Sequence, residues 1–191
     1  GMPQEALMEK AGIQISKWLS KKEALLKNGI TVLIGPGHNG GDGAVIAREL
    51  FLKGYLVKVW CPFPIKKTLT ITHLKYLTSI GVKKLLEPPD ANGKELWIDA
   101  VFGNNQTREV DNKLIQLFNQ KFNNKHGKIV SIDVPTGLCP DKGEPFLDNA
   151  VKADYTLAIG LNKIGLIQDS ALPFIGELHH IDIGIPTSKL S

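Results

Sequence analysis

An apolar run that empties into a glycine-rich turn, and then into a helical pattern, leaves a chain few folds to choose from. Thr31 to Phe51 reads TVLIGPGHNGGDGAVIARELF, with five glycines inside the nine residues Gly35–Gly43. Ile30–Ile34 is continuously apolar, as a strand covered on both faces requires. Beyond the glycines, Val45, Ile46, Leu50 and Phe51 recur at helical spacing, with Asp42 placed to cap that helix. Glycine loses the most backbone entropy on folding, so a cluster of it points to left-handed φ or to close backbone approach. Strand, glycine loop and helix start together make an anion-binding arrangement, because the first N–H groups and the helix dipole both attract negative charge.

The rest of the chain repeats this alternation. Leu7, Met8, Ala11, Ile15, Trp18 and Leu19 predict an amphipathic helix running to about Lys27. Strands are expected at Tyr55–Trp60, Glu95–Gly103, Lys128–Gly137, Tyr155–Gly160 and Glu177–Pro186, with helices at Thr70–Ile80 and Val110–Phe122. Such alternation predicts an α/β sandwich around a largely parallel sheet, one domain over residues 1–191. Right-handed crossovers then place three loops at one sheet edge: Gly35–Gly43, Asp99–Glu109 and Asp133–Gly143.

Those loops carry the chemistry. GPGHNG satisfies the dinucleotide pattern G-x-G-x-x-G, but the ribose-binding acid expected after the second strand is missing from VKVWCPFP. No Lys-Ser/Thr pair follows Gly41, which excludes a P-loop. A turn needed only for packing is the plainer alternative; Asn39 and Asp42, polar groups set among the glycines, favour a ligand loop. Asp99 and Asp133 each end an apolar strand, where an acid is costly unless something satisfies it. One such acid would read as a loop cap. Two beside Asn39 point to a shared cation or acid–base site, and an oxygen-only donor set favours a hard cation over zinc. His179 and His180, adjacent on a strand, face opposite sides, and His126 reads as surface loop. His38 reads equally as a ligand contact or as a hydrogen-bonded loop residue.

Composition narrows the partners. Net charge is only +4 and the lysines are dispersed, which argues against nucleic acid. No apolar run approaches a membrane span, and no signal peptide is evident, so a cytoplasmic location is expected. Cys61 and Cys139 read as reduced thiols rather than a bridge. Gly1 before Met2 reads as a tag remnant or as a start inside a longer chain.

GPGHNGGDG, DAVFG, DVPTGL and GLNKIGL…GELHHIDIGIP, in that order and after LMEKAG, resemble the NAD(P)H-hydrate epimerase family, the YjeF N-terminal domain. The resemblance implies a Rossmann-like three-layer αβα sandwich. It implies interconversion of the R and S hydrates of NADH and NADPH (NADHX and NADPHX), a bound potassium ion and a homodimer, with a hydrate dehydratase fused or separate. By position, the substrate would meet His38, Asn39, Gly40, Gly41, Asp42, Gly103, Asn104, Asn105, Gln106, Thr107, Arg108, Glu109 and Asp133. Asp133 would be the acid–base group, and Asn39, Asp99 and Thr136 would hold the potassium. Lys163 matches a family lysine near the site, against the alternative of a solvated loop residue. The sequence departs from the family at His38 (usually Asn), Asn104-Asn105 (usually Thr-Gly) and Thr136 (usually Ser), and the helix that usually precedes LMEKAG is absent or shortened. A non-catalytic binding or interaction module of the same fold is the alternative. A nicotinamide dehydrogenase ranks third, for want of the ribose acid.

Overall fold

A computed structural model describes residues 2–107, 110–161 and 163–185. Seven strands form one sheet: β1 (Ile30–Ile34), β2 (Val57–Trp60), β3 (Lys83–Leu85), β4 (Leu96–Ala100), β5 (Ile129–Ile132), β6 (Tyr155–Ile159) and β7 (Glu177–Ile181). Every neighbouring pair is parallel, in the order β3-β2-β1-β4-β5-β6-β7. The sheet is thus wholly parallel. From β1 the chain steps outward through β2 and β3, then returns to the other side of β1 with β4. That reversal makes the carboxyl ends of β1 and β4 a topological switch point, where open parallel sheets leave a crevice.

The central strands alternate their side chains between two helical layers. Val32, Ile34, Ile98, Ala100, Val130 and Ile132 join one core with α1 (Gln4–Ser20), α2 (Glu23–Leu26), α3 (His38–Leu52) and α4 (Thr68–Ser79). Leu33, Trp97 and Ile129 point the other way, against Leu114, Ile115 and Phe118 of α5 (Asn112–Asn123). Helices on both faces of the sheet confirm the expected α/β sandwich.

Several boundaries differ from the periodicity. The first helix stops at Ser20, because Lys22 leaves the helical region at φ −118°, ψ 61°, and the short α2 restarts at Glu23. The Lys22 ammonium then lies over the rings of Trp18 and Tyr155, 4.8 and 5.2 Å from their centroids. β3 has no apolar alternation to announce it; its lysines are exposed, which suits an edge strand. A short helix, α6 (Leu172–Ile175), also escaped the pattern. The glycine segment is mostly helix: α3 starts at His38 with Gly37 as its N-cap, so Asp42 sits in the second turn and caps nothing.

Candidate functional site

The crevice at the switch point is a cavity of about 300 Å³. Pro36–Asn39 and Asp42 form one side, Val101–Gln106 another, and Asp133, Lys66 and Lys67 complete it. The three loops expected at one edge therefore do converge.

The glycines serve it indirectly. None of the five has a left-handed φ. A Cβ on Gly35 would lie 1.7 Å from the Val101 carbonyl oxygen, and one on Gly43 2.5 Å from the Ala100 Cβ. These glycines let the start of α3 press onto the ends of β1 and β4, and that close approach brings Asn39 and Asp42 to the cavity. Packing thus explains more of the cluster than direct ligand contact does. Gly37 is the exception, lining the cavity with open space where its Cβ would be. Gly40 and Gly41 are buried away from the lining.

Asp133 is the only non-glycine residue with positive φ (70°) among the described residues, a backbone conformation that costs energy and concentrates at functional sites. Its carboxylate is clamped. Oδ2 accepts from the Asn104 N–H at 2.9 Å, and Oδ1 from the Ile159 N–H at 3.1 Å and from Lys163 Nζ at 2.5 Å. Lys163 is itself largely buried and donates also to the Ile159 carbonyl, so it is no solvated loop lysine. Asp42 faces the same cavity. Desolvation pushes its carboxyl well above the usual range, the charge of Asp133 adds to the rise, and Lys163 opposes it. The cavity therefore pairs a carboxylate fixed by an ammonium with a neighbour whose carboxyl holds its proton more firmly than an ordinary aspartate does.

Asp99 stands in different surroundings. It is fully buried and accepts from Ser131 Oγ (2.8 Å), Thr136 Oγ1 (2.7 Å), Thr136 N (2.9 Å) and Val101 N (3.3 Å). Burial raises its carboxyl pKa even so, and the four donors hold the rise down. Thr136 Oγ1 in turn accepts from the Phe102 N–H at 3.1 Å. Asn39 lies against Gly103, where an added Cβ would come within 3.0 Å of Asn39 Oδ1 and 3.1 Å of Asp133 Oδ2. Asp99 and Thr136 thus accept from the successive N–H groups of Val101 and Phe102, and Asn39, which donates to the Ile132 carbonyl, lies against the next residue.

Other expected residues fall into place unevenly. Asn104 and Asn105 are exposed on the cavity wall without left-handed φ, so the loss of a family glycine at Asn105 strains nothing. Gln106 is buried, donating to the Pro135 carbonyl at 3.2 Å and accepting from the Gly137 N–H at 2.8 Å, which ties the 101–106 loop to the one after β5. His38 lines the cavity and shares a hydrogen bond with Gln4 (2.6 Å); burial first, then the charge of Lys67, lowers its pKa. Thr107 is exposed outside the lining, and Arg108 and Glu109 lie outside the described residues. His179 and His180 engage different partners, Glu177 and the Gly160 carbonyl, and His126 is exposed in a turn, all as expected. Both cysteines are free.

The profile of the YjeF-related protein N-terminus matches residues 4–165. The chain belongs to this family. A protein of Gloeobacter violaceus named bifunctional NAD(P)H-hydrate repair enzyme Nnr is 39% identical over 192 residues, which take in 100% of this chain and 38% of that protein. The chain thus spans well under half the length of that relative. An Oenococcus oeni protein named NAD(P)H-hydrate epimerase is 32% identical over 187 residues, 97% of this chain and 88% of the relative. Among solved structures, yeast ynu0 superposes with a TM-score of 0.74 at 26% identity, over 94% of this chain and 79% of that one.

On this YjeF-type domain, residue-by-residue reading missed Lys66, Lys67 and Phe102, all in the cavity lining. Dispersed lysines give no signal in one dimension. The pair Lys66-Lys67 follows closely on the end of β2 at the sheet's carboxyl edge, and that position was the available clue. Among the described residues no His, Cys, Asp and Glu side chains cluster in threes as a transition-metal site would need. No described helix is long and apolar enough to cross a membrane.

Proposed function

We propose that this chain is an NAD(P)H-hydrate epimerase, interconverting the R and S forms of NADHX and NADPHX. One observation carries the reading: a carboxylate at the switch point, in a strained backbone, held by a buried lysine and two backbone N–H groups. The names of relatives matched over most of their own length supply the substrate.

The hydrate carries a hydroxyl on the carbon that also bears the ring nitrogen. Its configuration inverts when a proton reaches that oxygen, water leaves with the C–O electron pair, and water returns to the other face and gives its proton back. No electron is gained or lost overall. Asp133 and Asp42 serve as the proton store for both directions, a type of catalysis worth about 10²–10⁴-fold. Lys163 and two backbone N–H groups keep Asp133 oriented, while Asp42, with its raised pKa, can act as a donor. The start of α3 and the pair Lys66-Lys67 suit the pyrophosphate.

The reading includes a potassium ion. The resemblance puts it on Asn39, Asp99 and Thr136, an oxygen-only set in which Asp99 is a buried carboxylate without a Lys, Arg or His partner among the described residues. Both Asp99 oxygens are taken up by four donors, so an ion there would have to displace the Ser131 and Thr136 hydroxyls. One charge and neutral oxygens suit a monovalent ion better than Mg²⁺, which demands tight octahedral geometry. Bound there, it would supply a fixed positive charge beside residues 101–103. A homodimer and a cytoplasmic setting belong to the same proposal, on the family resemblance.

Separated R and S hydrates, incubated with the protein and resolved by chromatography, test the reading. Approach to the epimeric mixture faster than the spontaneous background is expected. Binding of the dinucleotide without turnover would replace the enzyme by a binding module.

A further inference from the structure

The cavity that holds Asp133 and Asp42 is small for a whole dinucleotide. Its volume of about 300 Å³ lies at the lower end of sites that enclose one small ligand. A second cavity of about the same volume follows the same two stretches of chain. One wall is Trp60, Pro62 and Phe63, a segment that continues into Lys66 and Lys67 of the first cavity. The opposite wall is Leu114 and Leu117 of α5, the helix that follows the 101–106 loop. Phe63 of the second cavity packs on Phe102 of the first, their ring centroids 5.8 Å apart.

Trp60 ends β2, next to β1 at the switch point. In doubly wound sheets that bind dinucleotides, the end of the corresponding strand meets the adenosine half, through an acid on the ribose. Here the segment WCPFP offers no acid and two aromatic side chains. Among the described residues, the cavity's one carboxylate, Asp111, is engaged as the cap of α5, accepting from the Lys113 N–H at 2.9 Å. Both are half-buried, with one side packed on the core and the other lining the cavity. Half-exposed aromatic rings are what a purine stacks on, and stacking needs no carboxylate. Gln116 and Gln120, exposed on the rim, can reach a base edge.

We propose that the second cavity takes the adenine ring of the dinucleotide, with Lys66 and Lys67, on the segment joining the two cavities, against the pyrophosphate. The identity of the ligand's other half rests on the epimerase reading. The adenine subsite explains how the fold anchors a dinucleotide although the usual ribose acid is missing.

The test uses AMP and two hydrates. Saturation-transfer NMR is expected to show the adenine protons of AMP in contact with the unmutated protein. Trp60→Ala on one wall and Leu117→Asp on the other should each weaken AMP binding at least about fivefold, the lower range for loss of one base stack, and Trp60→Phe should largely restore it. The same two changes should lower kcat/KM for NADHX in proportion. They should leave that for the hydrate of reduced nicotinamide mononucleotide, which lacks the AMP half, unchanged. Equal AMP binding by all variants, or an equal fall for both hydrates, overturns the subsite. An unmutated protein that binds AMP through Trp60 but turns over neither hydrate sinks the epimerase reading and leaves the subsite standing. Equal kcat/KM of the unmutated protein for both hydrates does the reverse.

Discussion

Two strands of this sheet end in an aspartate, and the two ends have become different things. At the end of β4, Asp99 is sealed from solvent and saturated by Ser131, Thr136 and the Val101 N–H. Ser131 is its cross-strand partner in register, so the contact follows from sheet pairing alone. At the end of β5, Asp133 sits just past the strand in left-handed backbone, turned toward the cavity and held by Lys163. The same local pattern, an apolar strand running into an acid, thus yields a brace in one place and a reactive group in the other. Whether the acid lies within the sheet's alternation, as Asp99 does, or just beyond it, as Asp133 does, makes the difference.

The sharpest way to break that contrast is the same substitution at both ends. Asp133→Asn keeps size and suits left-handed backbone. Epimerisation is expected to fall at least about 10²-fold with dinucleotide binding retained. Unchanged turnover would place the proton chemistry on Asp42. Asp99→Asn should do the opposite. Its two oxygens each face a backbone N–H, from Val101 and Thr136, so either amide orientation sets a donor against a donor. A buried donor left without an acceptor costs about 2 kcal/mol, a fall of about 4–8 °C in melting temperature for a domain of this size. Turnover per folded molecule should fall less than in Asp133→Asn. An Asp99→Asn protein that melts like the unmutated one would show that the brace bears no load.

This contrast also marks what was legible in the sequence. The fold was, because apolar strands and amphipathic helices report their own burial; the three-residue edge strand β3 and the break at Lys22 were not, since neither carries an apolar signature. The convergence of three loops was legible from topology. The division of labour between Asp99 and Asp133 was legible only through family resemblance, since register and φ do not appear in a string of letters. The glycines misled in one respect. They read as a flexible loop, because glycine is a poor helix former, and became the first turns of α3 because tertiary approach at Gly35 and Gly43 overrode that preference. Lys163 and Lys66-Lys67 look like any surface lysines until the chain brings them to the cavity.

Lys163→Met sharpens the comparison from the partner's side. It removes the one ammonium that distinguishes Asp133 from Asp99 and leaves Asp133 Oδ1 with the Ile159 N–H. A loss of roughly tenfold in kcat/KM is expected, the size of one charged hydrogen bond. Lys163 also counteracts the rise in the pKa of Asp42, so the variant should hold that proton to still higher pH and move the pH profile upward. A tenfold loss with an unmoved profile would reduce Lys163 to packing.

The smallest effect expected comes from Asp42→Asn, and it reads stability against pH. Folding raises the carboxyl pKa of Asp42 well above 3.8, by burial first and by the charge of Asp133 second. Below pH 3.8 both folded and unfolded chains carry the proton, and Asp42 costs nothing. As pH climbs past that value the unfolded chain ionises before the folded one does, so the unfolded state binds fewer protons and stability declines. The decline is complete once pH passes the folded value. Asparagine has no proton to lose, so Asp42→Asn should melt higher than the unmutated protein at neutral pH, with the advantage shrinking to nothing as pH falls through the carboxylate range. Melting curves of both proteins from acid to neutral pH at constant salt decide the matter. A difference independent of pH would mean that folding does not raise the pKa of Asp42, and that neither burial nor the charge of Asp133 acts on it.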